Sequence, residues 1–236
     1  MKVAICIPAY GDVKNGFAVS LARMLVHTLA ARVDSAAGPV TFEIEIFSVV
    51  SSDLVAARTE LLRRATGWRA RYLLWLDTDH VFPPDALLRL LSHGLPVVGC
   101  NYPRRSAPTG PVASRYNEAG ELEQLWTTAD KAKAGEVEEV AVVGLGLCLL
   151  DTQAIAEVRA HLGPAWERWE PFERRISPDT GTRMGEDASF LAELRAAGVK
   201  AYVDHGLSWQ VGHVAERVLT NADAEAERDA WTARHG

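Results

Sequence analysis

Residues 73–87 read LLWLDTDHVFPPDAL, a run in which four apolar side chains, Leu73 to Leu76, lead straight into two carboxylates, Asp77 and Asp79. A short, continuous apolar run closed by turn residues describes a strand buried on both faces, as in a parallel sheet. In open α/β sheets, ligands collect outside the carboxyl ends of the strands. Residues two apart on an extended chain face the same way, so Asp77 and Asp79 leave the sheet toward one point. Two such oxygens suit a hard divalent ion, Mg2+ or Mn2+.

Working outward, the same rhythm recurs. KVAICIP, TFEIEIFSVV, PVVGCNY, VAVVGLGLCLL and KAYVD are further apolar runs, and patterns of helical period lie between most of them. The clearest helix follows the second run. Asp53 is its candidate N-cap, Leu54, Ala57, Leu61, Leu62 and Ala65 form one apolar face, and Gly67 stands at its end. Similar logic predicts helices near 15–32, 85–93, 152–162 and 187–197, the last closed by Gly198. Strands alternating with helices predict an α/β fold, a mostly parallel twisted sheet flanked by helices.

Two stretches break the rhythm. Residues 103–139 are rich in Pro, Gly, Ser and charge around a predicted hairpin, VASRYNEAGELEQLWTTA. Residues 163–185 carry Arg and Pro without clean periodicity and read as a mobile loop near the site. Residues 216–236 read as a helix docked by Val218, Leu219 and Trp231, or as a solvated tail.

The totals exclude several classes. A chain of 236 residues, 48% hydrophobic, closes a full core, and its net charge of −6 counts against a general nucleic-acid binder. Local pairs such as Arg104-Arg105 still leave room for one phosphate-bearing ligand. Three cysteines, Cys6, Cys100 and Cys148, sit in apolar runs without metal-ligand spacing and read as buried thiols in a reducing compartment. No apolar run approaches the ~20 residues of a bilayer span, so a cytoplasmic protein is expected.

With these pieces in order, the chain from Lys2 to about Val214 resembles the GT-A glycosyltransferases, in particular the family 2-like group. ICIPAYGD resembles that family's first strand and turn, which implies that Pro8, Ala9 and Tyr10 lie against a nucleotide. DLVAARTELLRRA resembles the helix before the D-x-D strand, implying Arg58 at the donor pocket and Asp53 at the base or ribose. YLLWLDTDHVFPPDAL resembles the D-x-D strand itself, with Thr78 between the two acids also on the donor side. GEDASFLAELRAAG resembles the acidic motif beside the acceptor. LSWQVGHV resembles the late segment in which a histidine returns to the metal: His213 by this match, with His205 the other histidine after the last strand.

The resemblance implies a domain over 1–215 that moves a sugar from a nucleoside-diphosphate sugar, UDP- or GDP-linked, to an acceptor hydroxyl, with inversion. Asp77, Asp79 and His213 are then the ligands of Mn2+ or Mg2+. The acid Asp187, beside Glu186 at a helix start, is the catalytic base, and free backbone N–H groups there stabilise a carboxylate. Three rivals share parts of the pattern. A haloacid-dehalogenase-type phosphohydrolase would use Asp77 as nucleophile, a binding module would keep the fold without turnover, and a transferase acting on nucleic acid is disfavoured by the acidic balance.

Overall fold

The computed structural model describes residues 1–35, 38–177, 181–215 and 218–235. Its centre is a seven-stranded sheet. In chain order the strands are β1 (Lys2–Ala9), β2 (Glu43–Val50), β3 (Tyr72–Leu76), β4 (Val97–Gly99), β5 (Val137–Val140), β6 (Leu147–Asp151) and β7 (Ala201–Asp204). They lie side by side as β5-β7-β4-β6-β3-β1-β2. Five of them run in one direction, and β5 and β6 run against it. This is the mixed α/β, mostly parallel architecture that the run pattern predicts.

Alternation along β1 shows why the sheet takes helices on both faces. Val3, Ile5 and Ile7 pack with helices α1 (Asn15–Ala30) and α3 (Ala86–Ser92) through Phe17, Met24, Leu87 and Leu90. Ala4 and Cys6 point the other way, toward α2 (Leu54–Gly67), α4 (Gln153–Leu162) and α5 (Glu186–Ala196) through Leu61, Val158 and Phe190. Leu73 to Leu76 of β3 are fully buried, as a central strand requires. Burying each such leucine contributes about 1.5–3 kcal/mol.

The helix ends follow local chemistry. The Asp53 carboxylate accepts the Ala56 N–H at 3.1 Å and caps α2. Gly67 is still helical, and the left-handed turn beyond it falls on Arg69, at φ 60°. A non-glycine residue there costs about 1–2 kcal/mol, and Gly67 therefore does not play the terminating part expected of it. Gly198 does, at φ +81° after α5.

VAVVGLGLCLL is not one strand. It divides between edge strand β5 and central strand β6, and residues 141–146 cross from one to the other. β6 runs antiparallel to β3 with Leu147 opposite Leu76, so the glycine-bearing turn before it ends beside the D-x-D. The predicted hairpin forms from Ser114–Tyr116 and Leu122–Gln124. In the stretch 163–185, of which 178–180 lie outside the described residues, Phe172 is buried in the core and Trp166 and Trp169 pack against it. After β7, the short strand Gly212–Val214 pairs with His80–Val81 on one side and Val218–Leu219 on the other. Short helices Asn221–Ala226 and Arg228–His235 follow; residues 216–217 and 236 lie outside the described residues. Leu219 and Trp231 are buried and Val218 is exposed. Among the described residues, no helix is long and apolar enough to cross a membrane.

Candidate metal and donor site

The carboxyl ends of β1 and β3 form one wall of a cleft of about 270 Å³. Pro8, Ala9, Tyr10, Asp77, Thr78, Asp79 and His213 line it. Tyr10 stands at its rim, 82% exposed. A larger groove of about 1030 Å³ lies at the other end of β3, near Trp166, but holds none of the residues that the resemblance assigns to donor, metal or acceptor.

Two groups of side chains meet at this cleft. The first is Asp79, His80 and His213, whose ligand atoms all lie within 4.8 Å of one another. Strand pairing produces it, because the register sets His213 directly opposite His80. The two rings stack at 4.4 Å, and Tyr102 packs edge-on against both. The 2.8 Å contact of His213 Nδ1 with the Pro103 carbonyl requires an N–H at Nδ1, because a carbonyl only accepts. In the neutral ring that leaves the Nε2 lone pair facing Asp79 Oδ2 at 3.3 Å. His80 Nδ1 lies 3.2 Å from Asp79 Oδ1 without hydrogen-bond geometry, and both of its ring nitrogens are buried without a partner. Burial works against charge on Asp79, but His213 and His80 outweigh it and hold its carboxyl well below the usual range.

Buried nitrogens without partners, and lone pairs facing lone pairs, are costly unless a proton or a cation lies between them. One carboxylate and two imidazoles are a donor set for a divalent cation. The residues present therefore fit a metal ion.

The second group is Arg58, Asp77 and Asp187. Arg58 is 1% exposed, beneath the cleft floor. One end of its guanidinium pairs with Asp187 Oδ1, and Nη2 lies 3.3 Å from Asp77 Oδ1. Asp187 Oδ2 accepts the Leu145 N–H at 3.0 Å, and the Asp77 N–H donates to Gly146 O at 3.0 Å. The turn before β6 thus fastens both acids. It comes this close because Gly144 and Gly146 lie against the Tyr102 hydroxyl, which a Cβ on either would meet at 2.2 and 2.6 Å. Burial pushes the Asp187 carboxyl up to about 6 against the pull of Arg58, with Glu186 and Asp77 adding to the rise.

The predicted residues therefore separate. Asp79 and His213 come together, while Asp77 turns to Arg58 and is not one of the three clustered ligands. Arg58 lies beneath the cleft, and Asp53 caps α2. Glu186 pairs with Arg174 at 3.1 Å. His205 lies elsewhere, bound to Thr127 and Glu138. Sequence reasoning passed over His80 and Tyr102, and named Arg105 only within a basic pair that left room for a phosphate-bearing ligand. For His80 the signal was adjacency, since it follows the D-x-D directly in DTDH.

No protein-family model and no curated protein matches the sequence. Solved structures do match. The crystal structure of A197 from STIV aligns over 94% of this chain and 92% of its own, with TM-score 0.53 and 18% identity. GalNAc-T7, crystallised with UDP, GalNAc and Mn2+, aligns over 91% of this chain with TM-score 0.51 and 11% identity. This chain covers 44% of that protein. At such identities the likeness defines the class of fold, which is GT-A-like, and nothing finer.

Proposed function

We propose that the protein is a metal-dependent glycosyltransferase that moves a sugar from a UDP- or GDP-linked donor to an acceptor hydroxyl, with inversion, within a transferase unit of residues 1–215. The observation that carries this reading is the set Asp79, His80 and His213, of which Asp79 and His213 line the cleft and His80 is buried, together with the acid Asp187, fastened by Arg58 and the Leu145 N–H. In chemical terms, the acceptor oxygen bonds to the anomeric carbon as the bond from that carbon to the phosphate oxygen breaks. The hydroxyl proton passes to Asp187, and the nucleoside diphosphate leaves.

Asp187 suits this task because a carboxyl raised to about 6 is ionised at neutral pH yet basic enough to take a proton. Arg58 and the Leu145 N–H fix its orientation, so little reorganisation is needed at the moment of transfer. Asp79, His80 and His213 would hold the cation; two imidazoles suit Mg2+, which keeps to oxygen ligands and several waters, less well than a softer divalent ion, and of the two expected ions that leaves Mn2+. A cation bound there supplies positive charge to the departing diphosphate. Tyr10, exposed at the rim, offers a ring for the nucleotide base.

The reading is supported by the GalNAc-T7 likeness, since that protein was crystallised with UDP and Mn2+. The test is thermal unfolding with UDP-, GDP- and TDP-sugars, with and without Mn2+. A ligand that binds only the native state raises the melting temperature. One donor is expected to do so, and only with Mn2+. No shift with any donor, or Mg2+-dependent hydrolysis of p-nitrophenyl phosphate, would contradict the reading and favour a phosphohydrolase.

A further inference from the structure

We propose that Arg105 is a movable cation: it occupies Asp79 when no metal is present and passes to the diphosphate of the donor once metal has taken its place. This rests on the transferase reading for the second half and on geometry alone for the first. Arg105 Nη1 lies 2.9 Å from Asp79 Oδ2, the same oxygen that His213 Nε2 faces at 3.3 Å. A divalent cation drawing on that oxygen competes directly with the guanidinium.

The charge inventory says where the guanidinium goes. Asp77 and Asp79 line the cleft, and among the described residues Arg105 is the one arginine or lysine on its lining. Arg58 lies beneath the floor, committed to Asp77 and Asp187. A diphosphate entering beside these acids needs positive charge, and an arginine fork matches phosphate oxygens two at a time. A side chain 54% exposed on a long stem has the freedom to turn toward it.

The backbone beneath Arg105 is, by contrast, anchored. Arg104 N and Nε donate to the carbonyls of Gly110 and Pro111 at 2.7 and 2.9 Å. The Thr109 N–H donates to Glu227 at 2.6 Å, Arg234 donates to the Ala107 carbonyl at 2.6 Å, and Trp231 packs on Gly110. The C-terminal helices thus pin the loop that carries Arg105, and Pro103, one end of that loop, accepts from His213. Exchange is left to the side chain. Its neighbour Arg104 is fixed by Pro111 and by the ring of Trp231, 5.4 Å away, and cannot substitute for it.

The experiment is a pair of titrations on wild type, Arg105→Ala and Arg105→Lys: free Mn2+ by electron paramagnetic resonance, then UDP and GDP by calorimetry at saturating Mn2+. Arg105→Ala is expected to bind Mn2+ several-fold more tightly, because its competitor is gone. It is expected to bind the nucleoside diphosphate about tenfold more weakly, with partial recovery in Arg105→Lys. Unchanged or weaker Mn2+ binding overturns the exchange, and unchanged nucleotide binding overturns the phosphate role. If wild type binds neither UDP nor GDP, the transferase reading fails and the phosphate role falls with it, while the Mn2+ titration still decides the exchange.

Discussion

Two groups of carboxylate and imidazole sit at the sheet, each with its ligand atoms within 4.8 Å: Asp79, His80 and His213 at the carboxyl end of β3, and Glu136, Glu138 and His205 around β5. By composition alone they are near equals. In the second group every strong donor finds an acceptor: Glu138 takes Lys131 at 2.6 Å and Arg115 as well, and His205 divides its ring nitrogens between Thr127 at 2.8 Å and Glu138 at 3.2 Å. In the first, His213 gives Nδ1 to Pro103 and sets Nε2 3.3 Å from a carboxylate oxygen, and His80 leaves both nitrogens without hydrogen bonds. Unmet pairing is what singles out the first group as the candidate site, since buried polar groups are normally satisfied.

The comparison breaks most sharply through the acids beside each group. Asp187→Asn should lower transfer by about 10²–10⁴-fold while leaving donor affinity intact, whereas Glu138→Gln should leave the rate unchanged. The pH profile gives the sign. Because the Asp187 carboxyl is raised to about 6, its base form is present above that pH, and kcat/KM should fall as pH drops through about 6. An acid limb near 4, or equal losses in both variants, would count against the contrast.

A smaller effect sharpens it through the histidines. His213→Ala should weaken Mn2+ binding by at least about tenfold with little change in stability. His205→Ala should leave Mn2+ binding unchanged and cost about 1–3 kcal/mol in urea unfolding, because Glu138 and Thr127 lose a buried partner. Metal titration and chemical unfolding of the two variants read both quantities.

Much of the fold was legible because burial writes itself into sequence. α2 showed its face at Leu61, Leu62 and Ala65 and its cap at Asp53, and Leu73 to Leu76 announced a strand covered on both sides. Sheet order was not legible. Nothing in VAVVGLGLCLL says that its last residues reverse direction beside β3, because an apolar run reads alike parallel or antiparallel. The left-handed turn at Arg69 was hidden for a related reason, a glycine standing two positions early.

The geometry of the candidate site was legible in part. Pattern brought Asp79 and His213 to one point, where they meet, and brought Asp77 there too because alternation sends residues two apart to one side. Its carboxylate instead turns to a guanidinium that arrives from α2. His80 was passed over because it belongs to a two-residue strand, His80–Val81, defined by pairing with residues more than 130 positions away. Arg105 lies in a loop without periodicity, so its position depends on the C-terminal helices that pin that loop.

Anomalous diffraction from a crystal soaked in Mn2+ tests the central claim most directly. The account predicts a manganese peak bonded to Asp79 and at least one of His80 and His213, with Arg105 swung away. A peak at Glu136, Glu138 and His205, or none within bonding distance of Asp79, would contradict it.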